Sequence, residues 1–542
     1  MYGGRHERLG KVDFTVVRAE RVLEVGLLLL APMRLWWFVC LSPFRRQFPA
    51  KAYTVAAGLC LYSAFIVAIA LLEPWVLRPL AILAGCSLMF VWWRSRANYG
   101  GNRRWPPGRL KLLPSKPYSD PDYYRAEAER YGPVFKTGAT HPYPTLRPVA
   151  CIVSHELGLE VLRRNDESLK LRPEFPFSRF IPRGFLRHMK PNDHGEYSKL
   201  FHAAMRQSNT GHSAEFLAAI IRKTLCGLAD ACAQPDVKGL RPDGYLNDMM
   251  LGILSAAFFG IVPGSAEFTR LKALHGALNF RRITRRTMAL QIETRRAALM
   301  AFLIEWARHI GGREAENSVA GTCVLAAIHR IDKSKVDDPT VIGNLAYMLE
   351  ISRNDVAGLL LWLMKMLCDH PDWLDELRKG PAVLPARGSL ADRIVSETLR
   401  LEQSEYLYRH TTETIEVADY VIPKGWVLRI CIRDAHRSSA VFLKPGAFDP
   451  DRFDGKDYPL TSYAPFGLFR HICIGADLTM MIGRIFVHEL ARGFTLQATD
   501  DGPPEHPRYH WEPSSRFHIH LEPRTRDRRL GQVDSSGLGM TI

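Results

Sequence analysis

The chain has 542 residues, a formal charge of +16 and ten cysteines with no C-x-x-C pair. That length permits a large buried core, and scattered cysteines without a histidine cluster at zinc spacing argue against a disulfide scaffold or a zinc domain and for a reduced compartment. The basic balance comes without a basic, aromatic-interleaved run, so it points to an anionic membrane and an acidic protein partner rather than to nucleic acid.

Residues 1–21 form a basic N-terminal segment, and residues 22–94 read as a membrane anchor. Val22 to Cys40 is apolar but carries Glu24, Pro32 and Arg34, so it either spans or lies at the interface. Ala52 to Leu72 is uncharged and long enough to cross a hydrocarbon core of ~30 Å. A second span runs from Trp75 to Trp93, broken only by Arg78, and its Trp92–Trp93 pair before Arg94 suits an interfacial aromatic belt. Arg45, Arg46 and Lys51 precede the first of these two spans, and Arg94, Arg96, Arg103 and Arg104 follow the second. A two-span hairpin puts both basic loops in the cytosol, whereas a third span would send the basic N-terminus to the lumen. Either way the remaining chain is cytosolic. The apolar segments are too long, too many and too far in to form a cleavable leader.

Residues 95–117 are a basic, proline-rich hinge, stiffened by Pro106, Pro107, Pro114 and Pro117. Tyr123 to Tyr131 is helical in pattern, Gly132 to Lys136 begins a strand, Val149 to Val153 forms a second, and helix returns at His155 to Arg164. Lys170 to Asp193 is a loop rich in Phe, Arg and Pro, and helices dominate from Ala214 to Ile328. Within that region Arg281, Arg282, Arg285 and Arg286 recur at helical spacing as a solvated or membrane-facing stripe. A long helix runs from Asn344 through Trp362 to Asp369 and stops before Pro371. Glu397 and Arg400 share a helix face at i and i+3. Strands follow at Ile415–Val417, Tyr420–Ile422 and Trp426–Ile432, and residues 524–542 lack the apolar content to order themselves.

The most informative stretch is Tyr463-Ala-Pro-Phe-Gly-Leu-Phe-Arg-His-Ile-Cys-Ile-Gly-Ala476. Apolar residues then recur at Leu478, Met481, Ile482, Ile485, Phe486 and Leu490, one face of a helix. Cys473 thus lies at a helix entrance, where free N–H groups and the positive end of the dipole stabilise a thiolate. A thiolate so held is suited to serve as the axial ligand of heme iron.

Phe466, Gly467, His471, Cys473 and Gly475 resemble the heme-binding loop of the cytochrome P450 family, Phe-Gly-x-Gly-x-Arg/His-x-Cys-x-Gly. Phe469 stands where that family has its second glycine, so a reshaped loop is expected there. Pro445-Gly-Ala-Phe-Asp-Pro-Asp-Arg-Phe453 is similar to a second family motif, whose Arg (here Arg452) joins Glu397 and Arg400 in a buried structural triad. The resemblance covers roughly residues 105–523 and implies a mainly α heme-thiolate domain, over 118–523, with a minor β-sheet region. The N-terminal transmembrane region precedes it, and the proline-rich hinge sets the domain against its membrane.

The resemblance also implies roles. Cys473 is the metal ligand of heme b; Phe466, His471 and Gly475 shape the loop around it. Lys199 and His202 stand at the two basic positions that hold a heme propionate, with Ser198 in place of the family's Trp. Arg409, beside His410, falls within one residue of a further propionate-holding position. In the long helix the family's Ala-Gly-x-Asp/Glu-Thr becomes Ile351-Ser352-Arg353-Asn354-Asp355. An amide thus replaces the acid and a carboxylate the threonine, and Asp355 is suited to relay protons through water. A one-residue slip would instead make Asp355 the acid.

The function so implied is a heme-thiolate monooxygenase acting on a small lipophilic substrate in secondary metabolism, at the bilayer of the endoplasmic reticulum. Its electrons would come from a separate NADPH-dependent flavin reductase with an acidic surface. The alternative, carried by Asn354 and Asp355, is an isomerase, dehydratase or cyclase that needs no external electrons.

Overall fold

The computed structural model describes Gly85 and residues 105–109, 120–138, 148–171, 185–186, 189, 191–208, 212–276, 288–310, 319–403, 406–506 and 510–524. Apart from Gly85, the apolar runs 22–40, 52–72 and 75–93 lie outside them, as do the arginine stripe at 281–286 and the tail after residue 524. Among the described residues no helix is long and apolar enough to cross a membrane.

Capping residues set the helix boundaries. Helix α1 (Tyr123–Tyr131) is followed by α2 (His155–Arg164), whose first turn is closed by Ser154 Oγ accepting from Leu157 N–H at 3.2 Å. The helical middle comprises α3 (Pro191–Ser208), α4 (His212–Cys232), α5 (Asp243–Phe259), α6 (Ala266–Gly276), α7 (Met288–Ile310) and α8 (Val324–Ile331). Helix α5 stops at Gly260, whose φ of 68° is the left-handed conformation that suits glycine. The long helix α9 (Pro339–Asp369) starts five residues before the position the sequence pattern suggests. Asp338 caps it, accepting from Thr340 N–H at 2.7 Å, and Pro339 occupies the first turn, where a missing N–H costs nothing. It ends where expected, before His370 and Pro371. Helices α10 (Pro371–Lys379) and α11 (Leu390–Thr398, continued by a π turn at Leu399–Gln403) lead to the strands, and α12 (Ala476–Gly493) follows the cysteine loop.

The strands β1 (Gly108–Arg109), β2 (Val134–Thr137), β3 (Val149–Ile152), β4 (Leu169–Lys170), β5 (Tyr406–Thr411), β6 (Ile415–Val417), β7 (Tyr420–Ile422), β8 (Val427–Cys431), β9 (Phe494–Asp500) and β10 (His518–Pro523) form three sheets. The largest has the order β1-β2-β3-β8-β5-β4, and two hairpins, β6–β7 and β9–β10, complete the set. Chain segments about 280 residues apart therefore meet, with Val149 opposite Val427 in a parallel pair.

The main core is helical. Helix α9 packs against α5, α7, α11 and α12, while α12 also covers α4 and α10. The predicted stripe on α12 is largely borne out: Leu478, Ile482, Ile485, Phe486 and Leu490 are buried and Met481 is half-buried. Trp362 is buried on α9, its indole N–H donating to Trp511 O at 3.0 Å. That bond fastens the chain between β9 and β10 onto the long helix.

Candidate active site

The cysteine loop is held at its start by two buried imidazoles. Ala464 N–H donates to His436 Nε2 at 2.9 Å, so that ring is neutral, and burial together with His155 and Arg400 pushes its pKa well below the ordinary value. The ring of His155 meets it edge-on at 4.6 Å. His155 Nδ1 lies 3.0 Å from Ser462 O and its Nε2 3.2 Å from Ile432 O. Two carbonyl contacts favour a protonated ring, yet burial outweighs them and pushes this histidine down to about 4. Nothing in the local sequence marks either histidine, since their partners come from remote segments.

From there the chain turns tightly. Gly467 has φ 92° and donates to Ala464 O at 3.1 Å, and Cys473 N–H closes the loop on Phe466 O at 2.9 Å. Phe469 takes φ 62°, in the left-handed region where a Cβ is strained. The backbone thus makes here the turn a glycine would make, and the Phe469 side chain is half-buried against the sheet core, with the Arg470 guanidinium 5.4 Å from its ring centroid. Cys473 is exposed, whereas the other described cysteines are buried or half-buried. Helix α12 begins three residues later, with Gly475 at its N-cap contributing no side chain to the free N–H groups. Phe466 and Ile474, flanking the thiol, are half-buried against the main core.

Basic groups gather beside this loop. His471 meets the buried ring of His194 edge-on at 4.6 Å, and His194 is depressed by burial and by Arg470 and His202. His202 is half-buried and is depressed by burial and Arg206, with Asp477 of α12 opposing. Lys199, the other expected basic residue of α3, is exposed and makes no hydrogen bond or ion pair among the described residues beyond its helix. Arg409 is buried in β5, with Nη1 donating to Tyr408 O at 2.7 Å. It shares a strand face with Leu407, and Leu407 lies beside Gly467, 3.7 Å from where a Cβ would stand. Arg409 therefore projects from the sheet face that the cysteine loop covers.

On α9, Asn354 and Asp355 are exposed between half-buried and buried neighbours. Asn354 turns back on its own helix, donating to Glu350 O at 3.0 Å. Asp355 Oδ1 lies 3.7 Å from His510 Nε2. Behind the loop, Glu397 binds Arg400 through two bonds of 2.7 and 2.8 Å and Arg452 through one of 3.2 Å, and all three side chains are buried. The predicted triad is thus present. Arg400 also donates to the carbonyls of His436, Pro445 and Ala447, which ties the cluster to the imidazoles under the loop.

This donor set fits heme b, the cofactor the motifs imply. A solvent-facing thiol at a helix entrance is a soft ligand for iron. Buried Arg409 and the imidazoles of His202 and His471 are donors suited to carboxylates.

The cytochrome P450 family model matches residues 386–517. Abscisic acid 8'-hydroxylase 2 of Arabidopsis thaliana is 29% identical over 210 residues, 36% of this chain and 43% of that protein. Ent-kaurenoic acid oxidase 1 of Hordeum vulgare is 24% identical over 227 residues, 38% of this chain and 46% of that protein. The matched part spans less than half the length of these curated relatives. In fold, the chain is similar to retinoic acid-bound cyanobacterial CYP120A1 (TM-score 0.60, 16% identity, 78% of this chain and 99% of that one). It is equally similar to a zebra fish cytochrome P450 with progesterone (TM-score 0.60, 16% identity, 74% and 99%). The matched segment carries both the Glu–Arg–Arg cluster and the cysteine loop, and the helical remainder follows the same fold: the chain carries a cytochrome P450 segment at residues 386–517 and shares the fold of solved cytochromes P450.

Proposed function

We propose that this protein is a heme-thiolate monooxygenase that inserts one oxygen atom of O2 into a small lipophilic molecule and releases the other as water. The observation that carries the reading is the exposed thiol of Cys473 on a loop pinned from both ends, at the entrance of α12 and beside a cluster of carboxylate-binding donors. When bound, heme supplies the activation of O2. Cys473 would hold the iron, while Arg409, His202 and His471 would orient the macrocycle through its carboxylates, and Phe466 and Gly475 would leave room for it. Asp355 would relay protons for the reaction, while Asn354 is tied to its own helix and therefore unsuited to act as the acid.

Electrons come from a separate NADPH-dependent flavin reductase, and the +16 charge suits a partner with an acidic docking surface. The uncharged run at 52–72 and its neighbour at 75–93 support attachment to a bilayer, with the catalytic domain on the cytosolic side, as at the endoplasmic reticulum. Relatives named for abscisic acid and kaurenoic acid, and structures with retinoic acid and progesterone, agree with a lipophilic organic substrate.

The decisive experiment is Cys473→Ser. The wild-type reduced carbon monoxide complex should show the red-shifted Soret band of axial thiolate ligation, and the variant should lose it. Survival of the band in the variant removes Cys473 as ligand. Turnover that proceeds without a reductase would refute the monooxygenase reading.

A further inference from the structure

The described residues between β9 and β10, 501–506 and 510–517, are pinned against α9. Glu505 and Glu512 exchange backbone hydrogen bonds of 3.0 and 2.8 Å, and Glu505 Oε1 accepts from Ser514 Oγ, Ser515 N–H and Ser515 Oγ at 2.8–3.0 Å. Trp511 is buried, its carbonyl takes the indole N–H of Trp362, and its ring meets His506 edge-on at 5.2 Å. Trp362 and Asp355 are seven residues apart on one helix, hence on nearly the same stripe and about 10 Å apart. Anchoring Trp511 at Trp362 therefore leaves the preceding residue, His510, to reach back along that stripe to Asp355.

We infer that His510 is a positioning residue for the oxygenation reaction, holding the proton that Asp355 passes on. The geometry is specific. His510 Nε2 stands 3.7 Å from Asp355 Oδ1, an ion-pair distance rather than a hydrogen bond. This is the one ion pair His510 makes among the described residues, and the Tyr406 ring of β5 lies 6.4 Å away on another side. The inference rests on the monooxygenase reading. In that reaction, substrate–H, O2, two electrons from the flavin reductase and two protons give substrate–OH and water. Asp355, whose side chain is more than half exposed (57%), offers a carboxylate on the long helix for their delivery. A lone carboxylate is ionised at neutral pH and has no proton to give, whereas imidazole exchanges its proton in that range. His510 is one-third exposed (36%), so it can recharge from solvent. The imidazolium form of His510 gives one N–H proton to the Asp355 carboxylate, the carboxyl so formed then passes that proton on, and the neutral imidazole takes up another from solvent, so charge balances at each transfer.

The test uses the full-length, heme-loaded protein with its reductase. His510→Ala and Asp355→Asn should each lower product formed per NADPH consumed by roughly 10-fold, with the lost electrons appearing as hydrogen peroxide. The double variant should be no worse than either single one, as for residues acting as a unit. His510→Gln, which keeps size and polarity but carries no titratable proton, should behave like His510→Ala; normal coupling in this variant means the role is structural and overturns the inference. A second readout needs no turnover. Carbethoxylation of His510 by diethyl pyrocarbonate, mapped by mass spectrometry against exposed His309, should rise roughly two- to fivefold in Asp355→Asn, as for loss of a half-exposed ion pair. An unchanged rate also overturns it. If Asp355→Asn uncouples while both His510 variants stay coupled, this inference alone fails. If the Cys473 band test fails, the monooxygenase reading falls first.

Discussion

Replacing Glu397 by alanine should be far worse than replacing Arg452 by methionine, although the two residues share one bond. Glu397 is fully buried and accepts four donors: two from Arg400, one from Arg452 and the Asp449 N–H at 2.9 Å. Removing it strands two buried guanidinium groups. Breaking a buried pair by deleting one partner costs about 3–5 kcal/mol, and an orphaned N–H adds about 1–3 kcal/mol. Carbonyl acceptors soften this, since Arg400 keeps those of His436, Pro445 and Ala447, and Arg452 keeps those of Leu443 and Lys444. Even the lower end takes a large share of a typical stability of about 5–15 kcal/mol. Arg452→Met leaves Glu397 still neutralised by Arg400 through two bonds, so the loss should stay near or below about 3 kcal/mol. The double variant Glu397→Ala/Arg452→Met should recover part of the single Glu397→Ala loss, because one stranded cation is gone. Urea unfolding followed by tryptophan fluorescence, with the yield of the carbon monoxide band, orders the three variants. A Glu397→Ala midpoint equal to that of Arg452→Met would refute the reasoning.

Two further outcomes follow from the cysteine loop. Phe469→Gly should be about 1 kcal/mol more stable than Phe469→Ala, reversing the usual order, because only glycine takes φ 62° without strain; equal urea midpoints would show that the left-handed turn is not kept. His155, pushed down to about 4 from 6.5, stays neutral in the native state while the unfolded chain takes up the proton. Its stabilising contribution is therefore complete above pH 6.5 and drains as pH falls towards about 4, by up to ~1.4 kcal/mol per pH unit. His155→Gln should flatten the stability profile in that window, and an unchanged slope would show that the ring is protonated in the native protein.

The parts of the fold that were legible in the sequence are those whose cause is local. The α12 stripe follows from a 3.6-residue period, the end of α9 from Pro371, and the pairing of Glu397 with Arg400 from i,i+3 spacing. Arg452 was reached only through its motif, because nothing local says that a residue 55 positions away closes on Glu397. Lys199 and His202 share a helix at the same spacing, yet one is exposed and the other half-buried, since spacing alone does not say which side of α3 meets the loop. Phe469 taught the opposite lesson. Its backbone conformation is unfavourable for the residue itself and persists because surrounding contacts determine it.

The contacts that complete the site are the ones no window of sequence contains. His155 meets His436, His194 meets His471, and His510 meets Asp355, each pair joining separate elements. A histidine shows little periodicity of its own, and its burial or partner is settled only when the sheet and helices assemble. What unites the three is position. One pair pins the start of the cysteine loop, one flanks its basic side, and one sits on the long helix that packs against α12. Among the described cysteines Cys473 is the exposed one, and the imidazoles that pin and flank its loop make the polar surroundings of that thiol particular to this chain, so substitutions at His194 and His471 should alter its chemistry before they alter the fold.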